Sequence, residues 1–267
     1  GGGGSGGDPG AAAPPAMAGD VLDWMALLRA QPQVKPGRIG LVGHSEGGIV
    51  GSLVATRTPS LAFLVMLASP GLPGLEYNLQ YEASLGRAMG LDEATVRSKE
   101  AFQSRVLSVL LEEEDRSKAE ERLRSLYTGL LPPRSAEEVD AAIEHLLSPH
   151  FLFNLGYDPV RTLKGITVPV LAVFGERDVQ VPPEGNAEAL AAILDTESGR
   201  DRVVTLPRLN HFMQTAPTGS PREYPQLQET MAPEVPALLT RWIRTHTGPR
   251  DVGSCTVMVA TDGETVL

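Results

Sequence analysis

The stretch Gly43-His44-Ser45-Glu46-Gly47 lies between an apolar run, Arg38-Ile39-Gly40-Leu41-Val42, and a small-residue run, Gly48-Ile49-Val50-Gly51-Ser52-Leu53-Val54-Ala55. A G-x-S-x-G pentapeptide between a strand and a helix makes Ser45 a candidate nucleophile. The reason is steric. A serine on so tight a turn takes a strained backbone conformation, and glycines two positions away on each side permit the close approach. Such a turn lifts the hydroxyl above the sheet. It also aims the first N–H groups of the helix, chiefly that of Glu46, at any oxyanion formed beside Ser45. Gly-rich turns containing serine also occur in ordinary loops, so the pentapeptide alone does not decide between catalysis and a plain turn. The deciding feature is an acid and a histidine at later strand ends.

Both are present. The apolar run 168–174 ends in Gly175-Glu176-Arg177-Asp178, where a side chain emerges at the carboxyl edge of a sheet. Asp178 is the expected acid. Glu176 is its nearest competitor, but it sits earlier in the turn, and Val179-Gln180-Val181-Pro182-Pro183 reads as a loop leading into the next helix. Taken alone, this segment would be a strand-capping aspartate in a solvated turn. A second short β-run, 203–206, leads into Pro207-Arg208-Leu209-Asn210-His211-Phe212, with His211 at the loop tip. His211 suits a general base toward the Ser45 hydroxyl and then a general acid toward the leaving group. Asp178 would fix the imidazole tautomer and stabilise the imidazolium. Of the other histidines, His44 belongs to the turn itself, His145 and His150 to a helical region, and His246 to a terminal helix. None of these closes an acid, base and nucleophile set.

The order Ser45, Asp178, His211, each after its own strand, resembles the α/β-hydrolase family, in which nucleophile, acid and histidine follow in that order. More narrowly, Gly43-His44-Ser45-Glu46-Gly47-Gly48, Leu67-Ala68-Ser69-Pro70-Gly71-Leu72-Pro73-Gly74 and Leu209-Asn210-His211-Phe212-Met213-Gln214 resemble bacterial carboxylesterases related to the serine aminopeptidase branch. The resemblance covers about residues 16–247. It implies a three-layer α/β sandwich with a mostly parallel sheet and a helical cap inserted between strands. It further implies hydrolysis of a small-molecule carboxylic ester through an acyl-enzyme on Ser45, without metal or organic cofactor. Gly43, His44 and Gly47 would form the nucleophile elbow, and Glu46 would supply an oxyanion-hole N–H. A dehalogenase-like relative would carry aspartate at the elbow and a dienelactone hydrolase cysteine; this chain carries Ser45.

Composition is consistent with that class. The chain has 267 residues, 42% hydrophobic and 21% charged, long enough for one large core with an inserted subdomain. A formal net charge of −10 argues against nucleic acid or an anionic membrane as default partner. The single cysteine, Cys255, excludes an intrachain disulfide and a cysteine-based zinc cage, and fits a reducing, cytoplasmic setting. No run approaches roughly 18 uninterrupted apolar residues, so no membrane span is expected.

The start, Gly1-Gly2-Gly3-Gly4-Ser5-Gly6-Gly7, reads as a flexible linker, or as the end of the family's glycine turn after its fourth strand. A dinucleotide loop through Gly1, Gly3 and Gly6 lacks the preceding strand that such a loop requires. Residues 1–16 are therefore assigned to a flexible segment. Residues 17–30 follow as a helix, with Val21, Trp24, Met25, Leu27 and Leu28 at helical spacing. The hydrolase core is expected over 17–70 and 166–247, and includes a buried strand at 61–68, a helix at 187–194 and a terminal helix at 233–245. Residues 71–165 are charged and helical in period, with amphipathic helices around 106–110 and 136–147. They read as the cap, with Tyr77, Tyr81, Met89, Phe102, Phe151 and Phe153 as candidate pocket lining. The tail, 248–267, resembles a hairpin turning at Asp262-Gly263.

Three functional classes follow: a carboxylesterase, a serine aminopeptidase or other amide hydrolase using the same residues, and a non-catalytic fragment or binding module. The second needs a carboxylate for the substrate ammonium, for which Glu76 and Glu82 are the candidates. The family resemblance also implies strands before the nucleophile and a loop carrying a second oxyanion N–H. Only 44 residues precede Ser45, and none reads as that strand or loop. On this reading the strand ending at Val42 becomes a hydrophobic sheet edge that favours self-association. Half of the oxyanion hole is then absent, a loss of about 2.7–4 kcal/mol, or roughly 100- to 1000-fold in turnover. The expectation is weak or no turnover of a simple aryl ester by this chain; comparable turnover by this chain and by a version extended with the upstream strands would contradict it.

Overall fold

The structure is a computed structural model that describes residues 12–130 and 133–247, together with the backbone of residues 255–260. The glycine-rich start up to residue 11 and the Asp262-Gly263 turn lie outside the described residues.

The elements follow apolar periodicity. Helix α1 (Pro14–Arg29) opens with proline in its first turn, where the missing N–H costs nothing. It therefore starts earlier than the expected 17. It buries Ala18, Val21 and Met25, while Trp24 and Leu27 point outward, 64% and 57% exposed. A 3-10 turn (Pro36–Arg38) leads into β1 (Ile39–His44) and α2 (Glu46–Arg57). After β2 (Leu64–Leu67) come six helices: α3 (Gly74–Ala88), α4 (Glu93–Glu112), α5 (Arg116–Thr128), α6 (Ala136–Leu146), α7 (Pro149–Leu155) and α8 (Pro159–Leu163). Side-chain caps start most of them: Asp92, Asp115, Ser135, Ser148 and Asp158 each accept a backbone N–H, and Ser135 closes a capping box with Glu138. The chain then runs through β3 (Val170–Gly175), α9 (Pro183–Ile193), β4 (Arg202–Leu206), α10 (Glu234–Thr247) and β5 (Cys255–Ala260).

The sheet order is β4-β3-β2-β1-β5, and every pairing is parallel. Alternate residues along each central strand feed different layers, as a period of two requires. Ile39, Leu41, Leu64, Met66, Val170, Ala172 and Phe174 pack with residues of α1, α2, α8 and α9. Val42, Val65, Leu67, Leu171 and Val173 face the opposite layer with Val235 and Trp242 of α10. The insert α4–α6 carries a core of its own around Val106, Leu123, Val139 and Ile143. Among the described residues no helix is long and apolar enough to cross a membrane.

Part of the tail joins the sheet. Residues 255–260 form one strand in parallel register with β1, from Ile39 opposite Cys255 to His44 opposite Ala260. This strand takes the second side of β1, so β1 is not the sheet edge expected from the sequence.

Close approach of helix to strand explains the glycines after β1. A Cβ on Gly43 would lie 2.1 Å from the Gly47 carbonyl oxygen, and one on Gly48 2.0 Å from Ser69 Oγ. At Gly43 the obstacle is backbone, which cannot step aside. Gly43→Ala should therefore lower stability by about 3 kcal/mol, the upper part of the overpacking range. A denaturant midpoint unchanged from the parent chain would contradict this packing.

Candidate active site

The three candidate residues leave the sheet at the carboxyl ends of three parallel strands, where open α/β sheets place their sites. Ser45 follows β1 at φ 53° and ψ −123°, a conformation rare for a residue with a side chain. It is held there from both sides: its N–H donates to the Leu67 carbonyl (2.7 Å), and its carbonyl accepts from Gly48 N–H (3.0 Å). Ser45 occupies the N-cap of α2, yet its side chain makes no capping bond. A serine there ordinarily contributes about 1 kcal/mol by capping. Here the hydroxyl is left at the helix N-terminus, on the wall of a cavity.

Asp178 and His211 are brought together by packing between their loops. Glu176 N–H donates to the Leu206 carbonyl (2.9 Å) and Arg177 N–H to the Leu209 carbonyl (2.8 Å). A Cβ on Gly175 would lie 2.3 Å from that Leu209 oxygen, so glycine at the end of β3 is what lets the second loop approach. The His211 loop is stitched by Asn210, which accepts from Gln214 N–H (2.9 Å) and donates through Nδ2 to Gln214 Oε1 (3.0 Å). His211 Nδ1 stands 2.9 Å from Asp178 Oδ2, and both residues are 3% exposed. Asp178 Oδ1 accepts the N–H groups of Gln180 and Val181, each at 2.8 Å. Those bonds leave one carboxylate oxygen for the imidazole. Glu176, the competing acid, accepts from Arg208 N–H at 2.8 Å instead.

The elbow touches the histidine loop through His44. Its Nε2 lies 2.8 Å from the His211 carbonyl oxygen, and the two rings are 4.8 Å apart. Phe212 stacks on His44 at 5.7 Å and meets Tyr224 edge-on at 5.0 Å. Tyr224 OH accepts from Gln180 Nε2 (3.1 Å), beside the Asp178 turn, and burial pushes its phenol up to about 12. Among the described residues no hydrogen bond joins the Ser45 hydroxyl to His211. Such bonds are commonly loose before substrate arrives.

Ser45 and Glu46 open onto a cavity of about 330 Å3 with Ile49, Pro70 and Leu72 on the core side and Tyr77, Tyr81, Phe151 and Tyr157 opposite. Tyr77, Tyr81 and Phe151 are thus where the sequence reading places them. Phe102 instead packs against Tyr127 inside the insert, ring centroids 5.2 Å apart, and Phe153 lies beside Tyr157 at 6.2 Å. Met89 caps the end of α3 and is not among the lining residues. Neither Glu76 nor Glu82 lines the cavity; Glu82 instead faces Lys99 at 3.8 Å.

The carboxylate that does line the cavity is Glu46. Its Oε1 is 2.6 Å from His150 Nε2 and accepts from Asn154 Nδ2, also at 2.6 Å. The bond to Glu46 raises the pKa of His150 above the usual imidazole range, whereas burial lowers that of His145. Asn154 Oδ1 is buried with no hydrogen-bond partner, which ordinarily costs about 1–3 kcal/mol. The sequence reading assigned His145 and His150 only to a helical region and passed over Asn154, because no spacing rule links the helices of an insert to an elbow about a hundred residues earlier. Among the described residues, no group of three or more His, Cys, Asp or Glu could hold a metal ion.

The chain is similar to known proteins. The chain is 26% identical over 199 residues to Esterase EstD of Thermotoga maritima, covering 73% of this chain and 39% of that relative, so it spans about two fifths of the relative's length. Among solved structures, a thermophilic esterase from Thermogutta terrifontis is 21% identical with a TM-score of 0.48, and a proline iminopeptidase from Mycobacterium smegmatis 18% identical with a TM-score of 0.49. Each of these two comparisons covers 91% of this chain and 77% of the other. Residues 3–224 match the model of the family described as "Alpha/beta hydrolase family". That span takes in the elbow after β1, the helical insert and both later strand-end loops together, and the chain accordingly belongs to the alpha/beta hydrolase family.

Proposed function

We propose that this hydrolase cleaves carboxylic esters of small molecules through an acyl-enzyme on Ser45. The observation that carries the reading is the buried 2.9 Å contact between Asp178 Oδ2 and His211 Nδ1; a serine held at φ 53° on a cavity wall is the candidate nucleophile that goes with it. With Nδ1 engaged, Nε2 is the imidazole nitrogen left to take the Ser45 proton as Oγ attacks the ester carbonyl carbon. The carbonyl oxygen becomes an oxyanion that accepts the Glu46 N–H at the start of α2. Collapse of the tetrahedral intermediate breaks the bond to the alcohol oxygen, which leaves with the proton carried by His211. Water, deprotonated by the same imidazole, then hydrolyses the acyl-serine and restores the hydroxyl.

Helices α3–α8 act in this reading as a cap whose Tyr77, Tyr81 and Phe151 give the substrate an apolar wall. The amide-hydrolase alternative requires a free carboxylate for a substrate ammonium. Glu46 is the carboxylate in the cavity, and His150 and Asn154 already occupy its Oε1. That favours neutral esters.

A fluorophosphonate probe should label Ser45 stoichiometrically, and Ser45→Ala should lose both labelling and ester turnover; ester hydrolysis surviving in Ser45→Ala would sink the assignment. Asp178→Asn should keep the fold and lower kcat by about 10⁴-fold, because the imidazole loses its orienting acceptor. Turnover within tenfold of the parent would remove Asp178 from the mechanism. Matched acyl esters and aminoacyl amides, assayed in parallel, should give turnover of the esters; faster cleavage of the amides would reverse the preference.

A further inference from the structure

The insert reaches the elbow at the Glu46 carboxylate. Glu46 is the first residue of α2, so its backbone N–H is the group placed next to Ser45 and its carboxylate extends into the cavity. Two side chains of the seven-residue helix α7 converge on Oε1 of that carboxylate, His150 Nε2 and Asn154 Nδ2, each at 2.6 Å. The Glu46 and His150 side chains are 16% and 32% exposed, so the contact is shielded from bulk water more than a surface pair. Asn154 leaves its own Oδ1 buried and unpaired while donating to Glu46. A carboxylate beside a forming oxyanion would repel it. A cationic partner offsets that charge and draws the first turn of α2 toward the insert.

α7 is itself anchored. Ser148 caps it by accepting the Phe151 N–H (3.1 Å), and Gly74 N–H at the start of α3 donates to the Tyr157 carbonyl just beyond it (2.8 Å). A Cβ on Gly74 would stand 2.0 Å from the Asn154 carbonyl oxygen, so the start of α3 is pressed against this turn.

We infer that His150 and Asn154 are positioning residues for the hydrolysis proposed above, on which this inference rests: by clamping the Glu46 carboxylate they fix the N–H that meets the oxyanion and hold the insert over Ser45. The titratable groups that line the cavity with His150 are Glu46 from α2, His145 from α6, Tyr77 and Tyr81 from α3, and Tyr157 beyond α7. Among these Glu46 is the anion, and its hydrogen bond raises the His150 pKa. The charged clamp is complete below the ordinary imidazole pKa of about 6.5 and weakens as pH rises through the elevated value in the folded protein.

The test is steady-state aryl-ester hydrolysis by the full chain between about pH 5.5 and 9, with fluorophosphonate labelling of Ser45 in parallel. The parent chain should lose kcat several-fold on the alkaline side of the His150 titration. His150→Ala should lower kcat and kcat/KM together by about tenfold, with KM within about twofold, as expected when a transition-state contact is misplaced. His150→Gln, which can still donate to Glu46 but cannot titrate, should recover most of the activity and show no alkaline inflection. His150→Ala turning over within twofold of the parent, or an inflection persisting in His150→Gln, overturns the clamp. If His150→Ala fails to fold, the His150→Gln profile decides alone. Absence of both labelling and turnover in the parent chain would overturn the hydrolase reading and this inference together, whereas a labelled parent with an indifferent His150 overturns only the clamp.

Discussion

A residue with a side chain stays at φ 53° and ψ −123° only when the backbone on both sides is fixed, and at Ser45 that fixation organises the rest of the site. β1 supplies one side, through its register with β2 and the bond from Ser45 N–H to the Leu67 carbonyl. α2 supplies the other, and it reaches the sheet only because Gly43 and Gly48 present no Cβ where Gly47 and Ser69 lie. Strain of this kind costs about 1–3 kcal/mol, and the buried strands and helices around it bear that cost. The result is a hydroxyl at a helix N-terminus that caps nothing.

The acid and the histidine depend on a second close approach of the same kind. Gly175 ends β3 without a side chain, so the loop after β4 folds against it and sets Leu209, Asn210 and His211 beside the Asp178 turn. Asp178 spends one oxygen on two backbone N–H groups and keeps the other for Nδ1. The imidazole is thereby oriented, as hydrolysis through a serine requires. His44 joins the two halves through its contact with the His211 carbonyl.

Much of this was legible in the sequence because it is written locally. A strand, a glycine turn and a small-residue helix are consecutive, so Ser45 and Glu46 could be placed from spacing alone. The runs ending at Gly175 and Leu206 announced two further strand ends in the same way. The choice of Asp178 over Glu176 rests on its later place in the turn, just before a loop leading into the next helix, and the structure gives Glu176 the Arg208 N–H instead. What was not legible depends on contacts distant along the chain. Strand 255–260 pairs with β1, more than two hundred residues earlier, and no local pattern announces that pairing. Trp24 and Leu27 fit a helical stripe by period but face away from the core, since a stripe wider than the contact leaves its margin outside. His150 and Asn154 carry no motif at all; only the packing of α7 against α2 makes them partners of Glu46.

The central claim is that one serine, on this one turn, carries the acyl group. Rapid quenching during hydrolysis of an aryl ester, followed by peptide mass spectrometry, tests it most directly. An acyl adduct confined to the peptide containing Ser45, forming in a burst and decaying at the steady-state rate, is the predicted result. Steady ester turnover with no adduct, or with the adduct on another side chain, would contradict it.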